Sequence, residues 1–168
     1  MEHERPLLLI DVDGVISLFG FPPTAQPPGT FLLVDGIAHL LSATAGDHLR
    51  ALSAAFEPVW CTGWEEKAND YLPLALGLSG PYPHVVFERG TRPVNAHWKL
   101  DAIEAFVGAR PLAWIDDAHD EVCLEWARER AASGASTFLV TTDPAVGMTA
   151  THVIDLLEWA RKLSAFSA

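Results

Sequence analysis

The stretch Leu7-Leu8-Leu9-Ile10-Asp11-Val12-Asp13-Gly14 joins an unbroken apolar run to two acidic residues near the start of the chain. Four apolar residues without polar alternation are typical of a strand covered on both faces, as in a parallel sheet. Ligands of parallel α/β sheets bind beyond the carboxyl ends of the strands. The sequence therefore predicts a buried first strand that presents Asp11 and Asp13 at a functional edge.

Short apolar runs and helical patterns alternate along the rest of the chain. Further strands are predicted over residues 58–61, 85–87, 112–115 and 137–140. Helices are predicted over residues 44–56, 64–72 (up to Pro73), 98–107, 122–127 and 153–163. This alternation indicates an α/β fold, a three-layer Rossmann-like parallel sheet with helices on both faces. We expect one domain over residues 1–168, since about 150 residues are usual for a domain.

One insertion, at about residues 15–43, interrupts the alternation of strands and helices. It holds four prolines in a short stretch, followed by two apolar runs on either side of Asp35-Gly36. Asp-Gly between apolar runs favours a type I′ turn, which predicts a β-hairpin. We expect this hairpin to project from the edge of the sheet as a small flap, with no large cap domain.

Charge and cysteine content narrow the classes of partner. Eleven Lys and Arg residues against 22 Asp and Glu residues give a formal net charge of −11. Such a surface repels nucleic-acid backbones over long range, so non-specific nucleic-acid binding is not expected. No apolar run reaches the roughly 18 residues of a membrane helix, so no membrane contact is expected. The two cysteines form no disulfide framework, and a cytoplasmic location is expected.

Polar residues follow the other predicted strands as well. Thr62-Gly63 comes after the second strand and Asp116-Asp117 after the fourth, while Lys99 follows the third at a helix start. If these strand ends converge, they gather four carboxylates, one ammonium group and one hydroxyl. Such carboxylates cannot all stay ionised without a cation, and oxygen ligands of this kind suit Mg²⁺.

Each of these signals also has a purely structural interpretation. Thr62 alone fits a helix cap, and Lys99 alone fits a solvated surface residue. Asp120 could support a metal site, but it fits a helix-start acid equally well. His119 is expected to be solvated, and Trp64 to pack in the core. The common placement at strand ends is what favours a shared phosphate and metal site.

The motifs resemble those of the haloacid dehalogenase (HAD) superfamily of phosphohydrolases. The matching segments, in the order of the four family motifs, are Leu8-Leu9-Ile10-Asp11-Val12-Asp13-Gly14, Val59-Trp60-Cys61-Thr62-Gly63, Lys99 and Trp114-Ile115-Asp116-Asp117. The segments Trp60-Cys61-Thr62-Gly63-Trp64-Glu65 and Thr142-Asp143-Pro144-Ala145-Val146-Gly147 further resemble the small HAD domains grouped with "Swiss Army Knife" RNA-repair proteins.

This resemblance implies a phosphatase that hydrolyses phosphomonoesters through an aspartyl-phosphate. Asp11 would attack phosphorus, and Asp13 would protonate the leaving oxygen and later activate water. Thr62 and the Gly63 backbone would hydrogen-bond the phosphoryl group. Lys99 would neutralise the negative charge that develops on that group.

The resemblance also implies a cofactor and a reaction type. Mg²⁺ would be held by Asp11, the backbone carbonyl of Asp13, and Asp117, while Asp116 would orient Lys99 or a water molecule on the metal. A carboxylate at position 13 favours phosphoryl transfer, because the dehalogenases of the superfamily lack it. The expected substrate is a small phosphomonoester or the terminal phosphate of a larger molecule.

Two alternatives remain beside the enzyme. A HAD-like binding or regulatory module could keep the site and serve a partner protein or nucleic-acid repair machinery. A response-regulator receiver domain also uses acids, a Thr and a Lys, but its acceptor Asp ends the third strand. Here the third predicted strand runs into Glu88-Arg89-Gly90, which disfavours a receiver domain.

Overall fold

Four parallel strands form the central sheet of this protein, in a computed structural model that describes residues 4–90 and 93–166. The predicted domain over residues 1–168 therefore extends beyond the described residues at both ends. The strands are β1 (Leu7–Ile10), β5 (Glu57–Trp60), β6 (Leu112–Asp116) and β7 (Thr137–Thr141), in the order β5-β1-β6-β7. Ile10 lies opposite Trp60 and Ile115, so Asp11 emerges between the ends of two neighbouring strands.

Helices cover both faces of this sheet, as the unbroken apolar runs predict. The helices are α1 (Ala45–Leu52), α2 (Ala68–Leu76), α3 (Leu100–Val107), α4 (Glu121–Ala132) and α5 (Ala150–Phe166). Leu8 and Ile10 pack in one apolar cluster with α1, α2 and α5. Leu7 and Leu9 pack in a second cluster with α3 and α4. Because strand side chains alternate between faces, a two-sided core of this kind requires consecutive apolar residues in β1.

The prediction of a strand over residues 85–87 is wrong. The segment pairs with the sheet at one bridge between His84 and Trp60, where the Trp60 N–H donates to the Pro83 carbonyl at 2.8 Å and the Val85 N–H donates to the Trp60 carbonyl at 2.9 Å. Trp60 is the last residue of β5, so no strand residue lies beside residues 85–87 to continue the pairing. Val85 is still buried, and this burial produced the strand-like pattern.

The helices also differ from the predicted bounds, and α4 and α5 extend beyond them, to Ala132 and over Ala150–Phe166. α1 ends at Leu52 rather than at residue 56, because the chain turns there towards β5, with the Phe56 N–H donating to the Leu52 carbonyl at 3.0 Å. Pro73 does not end α2, which follows a 3₁₀ turn at Glu65–Lys67 and continues to Leu76. Burial of Leu72 and Leu76 holds the segment helical despite one missing hydrogen bond.

The insertion after β1 forms a small antiparallel sheet. It consists of β2 (Ser17–Leu18), β3 (Gly29–Val34) and β4 (Ile37–Ser42), in the order β2-β4-β3. The predicted hairpin turn is confirmed, since Asp35 and Gly36 both have positive φ values, 50° and 81°. The sequence missed β2. The base of the hairpin is packed, with Leu40 and Leu41 buried, whereas Phe31, Leu33 and Ile37 nearer its turn are exposed.

Residues 4–90 and 93–166 form no cap domain larger than this antiparallel sheet. Within the same residues, no helix has the length and apolar composition needed to cross a membrane.

Candidate active site

An open cavity of about 800 Å³ lies beyond the carboxyl ends of the parallel strands. The sequence-predicted site residues all line this cavity: Asp11, Asp13, Thr62, Gly63, Lys99, Asp116 and Asp117. They come from segments that are far apart along the chain, and the parallel arrangement of β1, β5 and β6 brings them together. The structure therefore confirms the prediction that the polar residues after these strands converge in one place.

Lys99 forms the centre of the buried part of the site. It ends a 3₁₀ turn at Ala96–Lys99, and only 4% of its surface is exposed. Its Nζ donates to Asp116 Oδ2 at 2.6 Å and to the Cys61 carbonyl at 3.0 Å, and it lies 3.3 Å from Asp11 Oδ1. Burial lowers the pKa of Lys99, but the carboxylates of Asp11 and Asp116 outweigh it and hold the pKa above its ordinary value.

Three carboxylates lie together beside this ammonium group, and two of them, Asp11 and Asp116, contact it. Asp11, Asp116 and Asp117 each offer an oxygen within 4.8 Å of the others. Burial raises the pKa of Asp11 to about 8, although Lys99 acts in the opposite direction. Burial also raises the pKa of Asp117 to about 6, and the charge of Asp116 adds to this rise. The cluster thus has more negative than positive charge, which a bound cation would offset.

Asp116 differs from the other two acids in how its oxygens are used. Oδ2 accepts from Lys99, and Oδ1 accepts from the backbone N–H of Ala118 at 3.0 Å. Both oxygens are thereby held by protein donors, an arrangement suited to orienting Lys99. Asp11 and Asp117 are the more available carboxylates for a cation.

Gly14 allows the chain to pass close to Asp117. Its φ is +80°, and a Cβ built on it would lie 2.4 Å from both Cγ and Oδ2 of Asp117. Thr142, from the loop after β7, donates its hydroxyl to the Gly14 carbonyl at 2.7 Å and fixes this approach. No role was predicted for Thr142, although it begins the segment Thr142-Asp143-Pro144-Ala145-Val146-Gly147 that resembles the small HAD domains.

We expect Gly14→Ala to displace Asp117 as well as strain the backbone. Gly36→Ala is a matched control, because Gly36 has φ +81° but no atom within 4 Å of its Cβ position. The left-handed backbone costs either variant about 1–2 kcal/mol. The steric overlap of the new methyl group with Asp117 should lower the unfolding free energy of Gly14→Ala by a further ~1–3 kcal/mol in urea denaturation. Equal losses in the two variants would show that the chain accommodates a methyl group beside Asp117.

Thr62 belongs to the turn that follows β5 and also lines the cavity. It is buried, and its Oγ1 accepts from the Trp64 backbone N–H at 3.2 Å while its carbonyl accepts from Glu65 at 3.0 Å. These bonds form the turn that follows β5. A hydroxyl that accepts one bond can still donate its proton, so Thr62 remains able to bind an anion in the cavity. Gly63 lies exposed beside it.

Asp13 points away from the acidic cluster, towards Trp64 and the antiparallel sheet. Its side chain is 50% exposed. Oδ2 accepts from Trp64 Nε1 at 3.0 Å, and Oδ1 lies 3.5 Å from His39 Nδ1. The prediction that Trp64 packs in the core is incomplete, because its indole N–H also donates to Asp13, which lines the cavity. Its position two residues after Thr62 was the available signal, whereas nothing in the sequence linked His39 to Asp13.

The acidic and histidine residues after Asp117 have structural contacts. Asp120 caps α4 by accepting from the Cys123 N–H at 3.2 Å, and it pairs with His97 Nδ1 at 2.6 Å. The hydrogen bond from His97 lowers the pKa of Asp120 to about 2. His119 is partly buried against Trp114 rather than solvated as expected, and burial lowers its pKa to about 4. The helix-start interpretation of Asp120 fits these contacts.

No protein-family model matches this chain, and a comparison with curated proteins finds no match. The fold and the site define an α/β protein whose parallel sheet carries a buried Asp–Lys–Asp cluster at the carboxyl ends of its strands.

Proposed function

We propose that this protein is a Mg²⁺-dependent phosphomonoesterase of the HAD superfamily that works through an aspartyl-phosphate. One observation carries the proposal. Asp11 lies 3.3 Å from Lys99 and within 4.8 Å of two further carboxylates, in the same cavity as Asp13 and Thr62. A nucleophile, a proton donor, an anion-binding hydroxyl and a cation site are the parts that phosphoryl transfer requires.

The donor set suits Mg²⁺ in particular. The ion prefers oxygen ligands and is usually held by one or two carboxylates together with water and substrate phosphate. Asp11 and Asp117 would hold it with the backbone carbonyl of Asp13, since both oxygens of Asp116 already accept from protein donors. When bound, Mg²⁺ supplies positive charge that keeps the carboxylates ionised and reduces repulsion between Asp11 and an anionic phosphate.

In the proposed reaction, an oxygen of Asp11 attacks phosphorus and the bond from phosphorus to the ester oxygen breaks. The leaving oxygen takes a proton from the Asp13 carboxyl, and the product alcohol departs. Asp13, now ionised, takes a proton from water. The water oxygen attacks the same phosphorus, the bond to Asp11 breaks, and inorganic phosphate leaves with both acids restored.

The remaining residues stabilise charge on the transferring group. Lys99 is held in place by Asp116 and the Cys61 carbonyl, so its ammonium is oriented before substrate arrives. A preorganised cation in a buried site stabilises developing negative charge better than a solvated one. The Thr62 hydroxyl and the Gly63 backbone donate to phosphate oxygens at the edge of the cavity.

The charge of the chain restricts the proposed substrates. A net charge of −11 disfavours long polyanions, while one terminal phosphate can be neutralised locally by Lys99 and a cation. A small phosphomonoester or the terminal phosphate of a larger molecule therefore fits best.

The function is tested with p-nitrophenyl phosphate. We expect release of p-nitrophenol with Mg²⁺ present, loss of release on adding EDTA, and recovery with excess Mg²⁺. Asp117→Asn should raise the Mg²⁺ concentration for half-maximal activity at least about tenfold, as expected for removal of a charged ligand. Asp143→Asn, an exposed acid outside the cluster, serves as its control. Turnover that persists after complete chelation, or no turnover by the wild-type chain, would contradict the proposal.

A further inference from the structure

The carboxyl group of Asp13 is held by two residues that the general reaction scheme does not use. Resting on the proposed function, we propose that Trp64 and His39 are positioning residues that orient Asp13 for proton transfer to the leaving oxygen. Trp64 belongs to the turn after β5, and His39 to β4 of the antiparallel sheet. The acid is thus oriented from outside the parallel sheet that carries the nucleophile.

Trp64 connects the acid to the phosphate-binding turn. Its backbone N–H donates to Thr62 Oγ1 at 3.2 Å, while its indole N–H donates to Asp13 Oδ2 at 3.0 Å. An indole can only donate, so Oδ2 must act as an acceptor. The carbonyl oxygen of a protonated carboxyl is the better acceptor, so the indole favours a proton on Oδ1 when Asp13 is protonated. A single residue in this way relates the position of the acid to the hydroxyl that binds the phosphoryl group.

His39 closes the other side of Asp13. Its Nδ1 lies 3.5 Å from Asp13 Oδ1 and 3.0 Å from Ser17 Oγ, and its ring meets Trp64 edge-on at 4.7 Å between centroids. The contacts with Ser17 and Trp64 fix the imidazole next to the oxygen that carries the proton. The side chain of His39 is only 16% exposed, so the imidazole is held by its surroundings beside Asp13.

The antiparallel sheet is attached to the same turn at a second point. Lys67 Nζ, at the end of the 3₁₀ turn, donates to Asp35 Oδ2 in the hairpin at 2.6 Å. This exposed ion pair adds little stability by itself. Together with the contact between His39 and Trp64, it keeps the hairpin against the turn that carries Thr62.

The proposal predicts an effect that depends on the leaving group. A proton donor matters most when the departing oxygen is a poor leaving group, such as an alkoxide, and least when it is a stable anion such as p-nitrophenolate. The constant kcat/KM reports the steps up to formation of the aspartyl-phosphate, so it is not affected by the later hydrolysis that all substrates share.

The test compares benzyl phosphate with p-nitrophenyl phosphate in Trp64→Phe, which keeps an aromatic ring but removes the N–H donor. We expect kcat/KM to fall about tenfold or more for benzyl phosphate, and less than about threefold for p-nitrophenyl phosphate. His39→Phe should give a smaller change with the same preference. Equal losses for both substrates would overturn the positioning role while leaving the phosphatase function standing.

Trp126→Phe provides a matched control. Trp126 Nε1 donates to the Glu104 carboxylate at 3.0 Å, so this variant removes the same kind of hydrogen bond from α3 and α4, away from the cavity. It should leave both kcat/KM values unchanged. A loss of similar size and substrate preference in Trp126→Phe would show that Trp64→Phe acts through general destabilisation.

A spectroscopic measurement tests the contact independently of turnover. In the ¹H–¹⁵N spectrum of the full chain, the indole resonance of Trp64 is the one absent in Trp64→Phe. Its N–H should shift upfield in Asp13→Ala, because the charged acceptor is removed. An unchanged Trp64 resonance in Asp13→Ala would overturn the proposal. A wild-type chain that hydrolyses neither ester would overturn the proposed function and the positioning role together.

Discussion

Asp11→Asn is expected to lower kcat/KM for phosphomonoesters by at least about 10⁴-fold, the scale of loss seen when a covalent nucleophile is removed. The asparagine amide has nearly the same shape but is a poor nucleophile, so no covalent intermediate forms. The measurement is kcat/KM together with trapping of an acid-stable, hydroxylamine-sensitive phosphoenzyme.

This substitution should not unfold the protein. Asp11→Asn removes one of three carboxylates that lie within 4.8 Å of one another, so the Mg²⁺-free chain should be at least as stable as the wild type in urea. Asp47→Asn is the matched control, since Asp47 is an exposed acid paired with Arg50 on α1. Phosphoenzyme formation by Asp11→Asn, or turnover within about tenfold of the wild type, would exclude Asp11 as the nucleophile.

Lys99→Met is expected to damage both stability and activity. The free energy of unfolding should fall by about 3–5 kcal/mol, because the substitution leaves buried carboxylates without their cation. Activity should fall by about 10²–10³-fold, since a preorganised charge is lost from the site. Urea denaturation and kcat/KM measure the two effects separately.

Added Mg²⁺ distinguishes the electrostatic cause from simple loss of packing. The cation should restore part of the stability of Lys99→Met, and by more than it stabilises the wild type, because the variant has more uncompensated negative charge. Lys162→Met removes an exposed lysine paired with Glu158 at 2.8 Å, and should cost less than about 0.5 kcal/mol. Full stability of Lys99→Met without Mg²⁺ would show that the cluster does not depend on this ammonium.

The part of the candidate site that could be predicted from sequence consists of the residues that lie just after the strands of the parallel sheet. Asp11 comes directly after β1 and Thr62 two residues after β5, and parallel strands end at the same edge. Asp117 follows one residue after β6. These positions are set by chain order and by the side-chain period of a strand, so they required no knowledge of long-range packing.

The contacts that orient the acid could not be predicted in this way. Trp64 meets Asp13 across 51 residues, and His39 meets Ser17 across 22. The first contact depends on how the turn after β5 lies against the loop after β1, and the second on how β2 pairs with β4. A single sequence carries no signal for that packing, because the residues involved fit equally well as core or surface positions.

Local chemistry by itself determined the buried parallel strands, the type I′ turn at Asp35-Gly36 and the order of the polar strand ends. Those features depend on side-chain period and backbone preference, which a few neighbouring residues specify. The tertiary structure alone decided that residues 85–87 form no strand, that β2 joins the hairpin, and that Asp116 holds Lys99. These outcomes depend on which donors and acceptors meet across long stretches of chain, and only the folded arrangement fixes that.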